Sequence, residues 1–147
     1  MNKILQPPAK LTLTPFVLLP IAAACTSFPA PKLKGTRAGI NSEPLTRTDL
    51  RDKVLLVDFW IYACVDCIRI FPYLKEWNVK YADDRLVIIG VHTLELEFEK
   101  VYSSVLKATQ DNSITWPVVQ GNDFKTWDNY SNRFWPAKYL IYKDGGV

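Results

Sequence analysis

The chain has 147 residues, of which 48% are hydrophobic and 22% charged, and these values are ordinary for one globular domain with a short appendage. The net charge of +3 comes without a dense basic run interleaved with aromatic residues, so nucleic acid is not an expected partner. Aromatic residues make up 13% of the chain, enough for a large buried core or an apolar docking surface.

The first 24 residues have the pattern of an export signal. Lys3 and Lys10 precede an apolar stretch over residues 11–24 that ends in small residues. This stretch is about 14 residues long and contains two prolines, whereas a membrane-spanning helix needs roughly 20 residues. We therefore predict that residues 1–24 are a signal peptide and that the mature protein lies in the periplasm or cell envelope, where disulfides persist.

Cys25 follows the apolar stretch directly, in Ile21-Ala22-Ala23-Ala24-Cys25. This segment resembles the lipobox at which bacterial lipoproteins are cleaved and acylated, although that motif usually has Leu where Ala22 stands. Two interpretations stay open at this point. Either Cys25 is the lipid attachment site and anchors the protein to the membrane, or it lies by chance beside an ordinary cleavage site.

Residues 25–44 contain several prolines and glycines and few large apolar side chains, which predicts a tether. The folded domain is expected to span residues 45–147. Its first element is an apolar strand over residues 54–60, interrupted by one carboxylate and typical of a strand covered on both faces.

Helical spacing of apolar residues begins at Cys64 and predicts a helix, kinked at Pro72. A second buried strand over residues 86–91 follows, and a strand-helix-strand run of this length implies a parallel crossover. An amphipathic helix is predicted from Phe98 to Leu106. The remaining elements are a short strand over 116–119, a short helix over 124–130 and a strand over 137–142 followed by a hairpin turn at 143–146. We expect the hairpin's second strand to be missing, because the chain stops at Val147.

The pair Cys64 and Cys67 carries the predicted chemistry. Two cysteines three residues apart on the first helical turn share one face, so a disulfide between them can form and break without backbone rearrangement. The unpaired amides at the helix N-terminus stabilise a thiolate at Cys64, which makes it the candidate nucleophile and Cys67 the resolving thiol. This redox-active disulfide requires no added cofactor.

Two other interpretations of the pair are a zinc site and a static structural disulfide. Zinc needs about four ligands, and beyond the pair the mature chain offers only His92 and Cys25, so no metal site is predicted. A structural disulfide closing so short a loop would constrain the unfolded chain very little. Redox chemistry is the favoured interpretation.

Asp58 is the third candidate catalytic residue. A carboxylate inside so apolar a strand is costly to ionise, so we expect its pKa to be raised and its proton to exchange with Cys67. Since it is expected to be buried and uncompensated, Asp58→Asn is expected to stabilise the fold. The alternative is an aspartate that caps the loop at the strand end.

These motifs resemble the thioredoxin family. Val57-Asp58-Phe59-Trp60, then Cys64-x-x-Cys67, then Pro72, is similar to its active-site strand and helix, and Trp135-Pro136-Ala137-Lys138 is similar to its cis-proline segment. The resemblance implies an α/β thioredoxin-like fold, a central mixed sheet flanked by helices. It also implies that Pro136 is cis and that the backbone of Trp135 binds an extended substrate beside the sulfurs. Trp60, next to the active-site loop, is a further candidate for substrate contact, or a plain core residue.

The long interval between Cys67 and Pro136 is similar to the redoxin or TlpA branch, and phrases such as Gly90-Val91-His92-Thr93 resemble the thioredoxin domain of DipZ-type cytochrome-biogenesis proteins. The branch implies protein thiols and disulfides as partners, and a membrane electron donor of the CcdA or DipZ type. We expect the branch's last strand and helix to be absent from this sequence.

The direction of electron flow is predicted from Asp66. Its negative charge beside the nucleophile opposes the thiolate, which favours a reducing couple. Two alternatives on the same scaffold are a copper(I) metallochaperone using the dithiol and a peroxide-reducing redoxin, the latter disfavoured because Ile61 stands where a Thr is expected. His92 is interpreted as a strand-end residue with local hydrogen bonds, and residues 95–99 as an acidic, solvated helix start.

Overall fold

The computed structural model describes residues 29–33, 39–45 and 48–147, so the predicted signal peptide and Cys25 lie outside the described residues. The described residues form a five-stranded sheet with helices against it. The strands are β1 (Gly39–Ile40), β2 (Val54–Trp60), β3 (Leu86–His92), β4 (Val118–Gln120) and β5 (Ala137–Ile141), and the helices are α1 (Val65–Lys80), a 3-10 helix (Glu97–Lys100), α2 (Tyr102–Asp111) and α3 (Lys125–Asn129).

The sheet is mixed, with the strand order β1-β4-β3-β2-β5. Strand β3 runs parallel to both β2 and β4, while β5 is antiparallel to β2 and β1 is antiparallel to β4. The parallel crossover from β2 through α1 to β3 is as predicted. The expected α/β, thioredoxin-like architecture is thereby confirmed.

Side chains of β2 alternate between the two faces of the sheet. Leu56 and Trp60 belong to one core cluster, which also contains Cys67, Phe71 and Leu74 of α1. The intervening β2 residues of the opposite face belong to a second cluster together with Tyr130 and Ile141. Asp58 lies two residues from both Leu56 and Trp60, so the alternation places its side chain on the same face, which α1 covers.

The segment between β3 and α2 differs from the continuous helix predicted from Phe98 to Leu106. A single 3-10 turn forms first, Val101 then returns to extended backbone with φ −71° and ψ 112°, and α2 begins only at Tyr102. The physical reason is Glu99, whose buried carboxylate accepts the amides of Glu95 and Leu96 and so closes the 3-10 turn locally.

Part of the predicted tether is folded. Ile40 in β1 is 2% exposed and packs into the core cluster beneath α1, and β1 pairs with β4. The Asn41 side chain fixes the end of this strand by donating to the carbonyl oxygens of Ile114 and Trp116 at 2.7 and 3.2 Å. Composition alone predicted a tether because a strand of only two residues leaves no recognisable pattern in the sequence. Within the described ranges, no helix is long and apolar enough to cross a membrane.

Candidate active site

Cys64 and Cys67 lie where the chain passes from the carboxyl end of β2 into α1. Cys64 is the N-cap residue of the helix, and its Sγ accepts the amide N–H of Cys67 at 3.2 Å. The Cys64 amide donates to the carbonyl oxygen of Ile61, also at 3.2 Å, which closes the turn before the helix. A helix-terminal amide directed at sulfur stabilises negative charge on that atom.

The two sulfurs differ in accessibility and in acidity. Both cysteines are free thiols, Cys64 half-buried and Cys67 1% exposed. Burial raises the pKa of Cys67 far above its ordinary value, and its hydrogen bond with Cys64 and the negative charge of Asp58 act in the same direction. Cys67 therefore remains a thiol until a base accepts its proton.

Asp58 is 1% exposed and forms an ion pair with Lys138, whose Nζ lies 2.8 Å from its Oδ1. Burial raises the pKa of Asp58, while the charge and hydrogen bond of Lys138 act to lower it, and the net direction is upward. The expectation that this carboxylate is uncompensated is therefore wrong. The structure thus contains a buried carboxylate that acts electrostatically on Cys67 and whose own charge is offset by an ammonium group.

Lys138 was not predicted, although a signal for it is present in the sequence. Strands β2 and β5 are each apolar with one charged residue of opposite sign, and the antiparallel register sets Asp58 directly opposite Lys138. Opposite charges facing each other across two strands stabilise the pairing. The pairing could not be seen without knowing that these two strands, far apart in the chain, are neighbours.

Trp135 and Pro136 precede β5, and the peptide bond between them is cis, which confirms the isomer implied by the family resemblance. The Trp135 indole packs at a tilt of 37° against Trp127, with ring centroids 4.3 Å apart, and also packs, like Cys64, against the core cluster beneath α1. Its indole N–H is buried without a hydrogen-bond partner among the described residues. The neighbouring Phe134 side chain is exposed.

Trp60 does not lie on the surface beside the sulfurs. It is 0% exposed, and its ring packs edge-on against Phe71 of α1 and against His92. A fully buried side chain cannot touch a partner protein, so the substrate-contact interpretation of Trp60 is wrong. Because side chains alternate between the two faces along β2, the Trp60 side chain lies on the face that α1 covers, and it is a core residue.

A second buried polar group lies next to the active-site loop of residues 61–63. His92, at the end of β3, is 0% exposed, and its Nε2 accepts the amide N–H of Tyr62 at 3.4 Å. The Tyr62 ring stacks on the imidazole, with centroids 5.5 Å apart and planes 18° apart. Burial lowers the pKa of His92 to about 4, against an opposing influence of Glu99.

Glu99 is also 0% exposed, which corrects the interpretation of residues 95–99 as wholly solvated. Its Oε2 accepts the amides of Glu95 and Leu96 at 2.8 and 3.0 Å, and its Oε1 has no hydrogen-bond partner among the described residues. Glu97, in contrast, is exposed and pairs with Lys100 at 2.8 Å. The sequence of this acidic segment does not indicate which of its glutamates is buried.

Among the described residues, no three His, Cys, Asp or Glu side chains lie close enough together to hold a metal ion. Cys25, the predicted lipid attachment residue, lies outside the described residues. The described geometry thus contains a half-buried sulfur at a helix end, a buried second sulfur and a buried acid with its own counter-ion.

A sequence profile of the AhpC/TSA family matches residues 26–147. The chain belongs to this family. Protein DipZ of Mycobacterium bovis is 44% identical to it over 121 residues, which cover 80% of this chain and 17% of DipZ, so the chain spans about a sixth of that relative. The thiol-disulfide oxidoreductase YkuV of Bacillus subtilis is 28% identical, covering 80% of this chain and 78% of YkuV.

Among solved structures, a thioredoxin-like protein in its oxidised form superposes with a TM-score of 0.73 at 30% identity, covering 82% of this AhpC/TSA-family chain and 80% of its own. The predicted membership in the thioredoxin-like superfamily, in its redoxin branch and near DipZ, is confirmed. The prediction of a thiol-disulfide oxidoreductase is confirmed at the level of its class, since relatives of that class share the fold that here carries the cysteine pair.

Proposed function

We propose that this domain reduces disulfides in proteins outside the cytoplasm through Cys64 and Cys67, with Asp58 as proton acceptor. The observation that carries this proposal is the asymmetry of the pair. One sulfur is accessible and receives a helix-terminal amide, and the other is buried with a raised pKa. That division matches a nucleophile followed by a resolving thiol.

The reaction begins when the Cys64 thiolate attacks one sulfur of a partner's disulfide. A mixed disulfide forms and the partner's other sulfur leaves as a thiolate. Asp58 then takes the proton of Cys67, and the Cys67 thiolate attacks Cys64 Sγ, which closes the Cys64–Cys67 disulfide and releases the second partner sulfur. Two electrons pass from the dithiol to the partner. We propose that a membrane dithiol donor of the CcdA or DipZ type restores them.

The partner is a protein segment in extended conformation, aligned with the backbone of Trp135 before the cis bond to Pro136. Support comes from the position of Trp135 and Pro136, which precede β5, with Trp135 packed against the same core cluster as Cys64. The exposed side chains of Val65 and Phe134, at 59% and 65%, lie beside the pair and the cis bond in sequence and are available to contact apolar residues of the segment.

The reducing direction is supported by the environment of Cys67 and by the charge of Asp66. Burial and the charge of Asp58 disfavour the Cys67 thiolate, and a dithiol whose thiolates are less stabilised gives up electrons more readily. Asp66 adds a smaller effect, because it is solvent-exposed and paired with Arg69 at 3.0 Å. In a glutathione buffer poised at about −220 mV, we expect the pair to be mostly oxidised. A mostly reduced pair would reverse the direction.

The division of roles is tested by trapping with a disulfide-bonded protein, followed by non-reducing electrophoresis. Cys67→Ser should accumulate covalent complexes that dithiothreitol releases, because the mixed disulfide cannot be resolved. Cys64→Ser should abolish turnover and trap nothing. Complexes formed by Cys64→Ser alone would reverse the roles, and unchanged disulfide exchange in both variants would refute the proposed function.

The extracytoplasmic location is supported by Lys3, Lys10 and the apolar residues 11–24, and the membrane attachment by Cys25. On expression in a bacterium, the chain should appear in the membrane fraction, and Cys25→Ala should release it or block processing. Membrane retention of a cleaved form without lipid would refute acylation, and retention of the chain in the cytoplasm would refute export.

A further inference from the structure

The His92 side chain connects β3 to the loop that leads to the nucleophile. Its ring lies between Trp60, which it meets edge-on at 5.0 Å, and Tyr62, on which it stacks. The Tyr62 amide, two residues before Cys64, donates to Nε2 of the imidazole. Tyr62 is held at its other end by its hydroxyl group, which donates to the carbonyl oxygen of Phe98 at 3.3 Å.

This hydrogen bond fixes which nitrogen of His92 carries the proton. An Nε2 that accepts an amide must have a free lone pair, so the proton of the neutral ring resides on Nδ1. The Nδ1 atom is buried and has no hydrogen-bond partner among the described residues. A buried donor in that position gains from any nearby negative charge.

Glu99 supplies that charge from the 3-10 helix. Its 3-10 helix is joined to the His92 site by Phe98, which accepts the Tyr62 hydroxyl at its carbonyl oxygen and contacts the Tyr62 ring. The Glu99 carboxylate acts electrostatically on His92, and its Oε1 has no hydrogen-bond partner among the described residues after Oε2 has accepted two amides. A carboxylate favours the imidazole tautomer that directs its N–H toward the negative charge. The donor without a partner, His92 Nδ1, and the acceptor without a partner, Glu99 Oε1, therefore belong to two side chains that interact electrostatically.

We propose that His92 and Glu99 are positioning residues of the active site: the Glu99 carboxylate keeps the His92 proton on Nδ1, and the free Nε2 anchors the Tyr62 amide and, with it, the loop that holds Cys64. The proposal rests on the proposed disulfide exchange for its effect on rate. Its structural part, the tautomer and the anchored amide, stands without it.

The tautomer is measured directly by nitrogen-15 NMR of the imidazole, because His92 is the only histidine in the chain. At neutral pH the spectrum should show a protonated Nδ1 and an unprotonated Nε2. Glu99→Gln keeps an oxygen for the amides of Glu95 and Leu96 but removes the charge, so it should shift the population toward protonated Nε2. Glu97→Gln is the matched control, since it makes the same change at an exposed position, and it should leave the tautomer unchanged.

The anchored loop is measured by hydrogen exchange at the Tyr62 amide and by the rate constant of attack by Cys64 on a disulfide. His92→Phe keeps a ring to stack on Tyr62 but removes the acceptor, so it should expose the amide and slow the attack about ten- to a hundredfold. His92→Gln can place a carbonyl oxygen near the Nε2 position and should restore both. Circular dichroism checks that each variant is folded, and if the Phe variant is not, Glu99→Gln serves in its place.

A wild-type His92 protonated on Nε2 would overturn the proposal, whatever the activity. So would unchanged Tyr62 exchange and unchanged attack in His92→Phe and Glu99→Gln. If the wild-type chain shows the Nδ1 tautomer and a protected Tyr62 amide but exchanges no disulfides, the proposed function has failed while the loop anchor is upheld.

Discussion

Asp58 and Lys138 show how one side chain alters the chemistry of another at the scale of single residues. Burial acts on Asp58 more strongly than the nearby ammonium does, so its pKa stays raised even though the two charges lie 2.8 Å apart. The buried acid therefore holds a proton more readily than an exposed aspartate does. Lys138 opposes this effect, because its charge and its hydrogen bond lower the pKa of Asp58.

The two partners should respond to substitution with opposite signs. Asp58→Asn should raise the free energy of unfolding at neutral pH, because the raised pKa means that the fold prefers a neutral group there. Lys138→Met should lower it by about 1–3 kcal/mol, because it leaves the buried carboxylate without a counter-ion. Urea denaturation measures both, with Lys143→Met, an exposed lysine in the turn after β5, as control. A stabilising Lys138→Met would contradict this account.

The same two substitutions should differ in how the rate of mixed-disulfide resolution depends on pH. Asp58→Asn should resolve the mixed disulfide on the order of a hundredfold more slowly near neutral pH, since it removes the proposed proton acceptor. Lys138→Met should raise the pKa of Asp58 further, so resolution slows at neutral pH and recovers as the pH rises. Rapid-quench measurement across pH distinguishes the two, because a flat profile in Lys138→Met would separate Lys138 from the proton transfer.

At the scale of secondary-structure elements, β1 decides where the folded domain begins. The side chain of Ile40 lies in the core cluster beneath α1, and Asn41, with φ 64°, turns the chain after it. Ile40→Ala should lower the free energy of unfolding by about 2–5 kcal/mol through the lost contacts and the cavity. A tether residue would give no change. Glu43→Ala, three residues on and exposed, is the control, and equal effects of the two substitutions would contradict the strand's contribution.

Elements with strong local patterns were predictable, and those fixed by distant partners were not. The apolar runs of β2 and β3 and the helical spacing after Cys64 predicted their elements to within a residue or two. Strand β1 is only two residues long, and its pairing with β4 depends on a segment nearly eighty residues away. The cysteine pair and the buried acid followed from motif and spacing, while Lys138 and Glu99 required knowledge of which elements are neighbours.

For the whole molecule, pH-dependent stability reports on His92. Its pKa falls from 6.5 to about 4 on folding, so between these values the unfolded chain binds a proton that the folded chain does not. Stability is therefore present above pH 6.5 and lost as the pH falls toward 4, by on the order of 3 kcal/mol in total. Asp58 has a raised pKa, so its contribution to stability has the opposite sign and is lost as the pH rises.

Comparison of the wild type with His92→Gln isolates this contribution. The difference in unfolding free energy between the two should change across pH 7 to 4 with the sign given above, since the other titrating groups are common to both. Guanidinium denaturation at several pH values measures it. A difference that is constant with pH would show that His92 is protonated equally in the folded and unfolded chain.

The antiparallel pairing of β2 with β5 has a consequence for the order of events during folding. Asp58 and Lys138 face each other across the sheet although they are 80 positions apart in the chain, 138 − 58. Contacts of such high sequence separation close slowly, because the intervening chain must first be ordered. A chain emerging N-terminus first exposes both thiols well before the strand that completes their surroundings has been made. Asp58, which is already present on β2, thus gains its counter-ion Lys138 only when β5 joins the sheet, so the charge that surrounds the dithiol is balanced by the last of the described strands to be made.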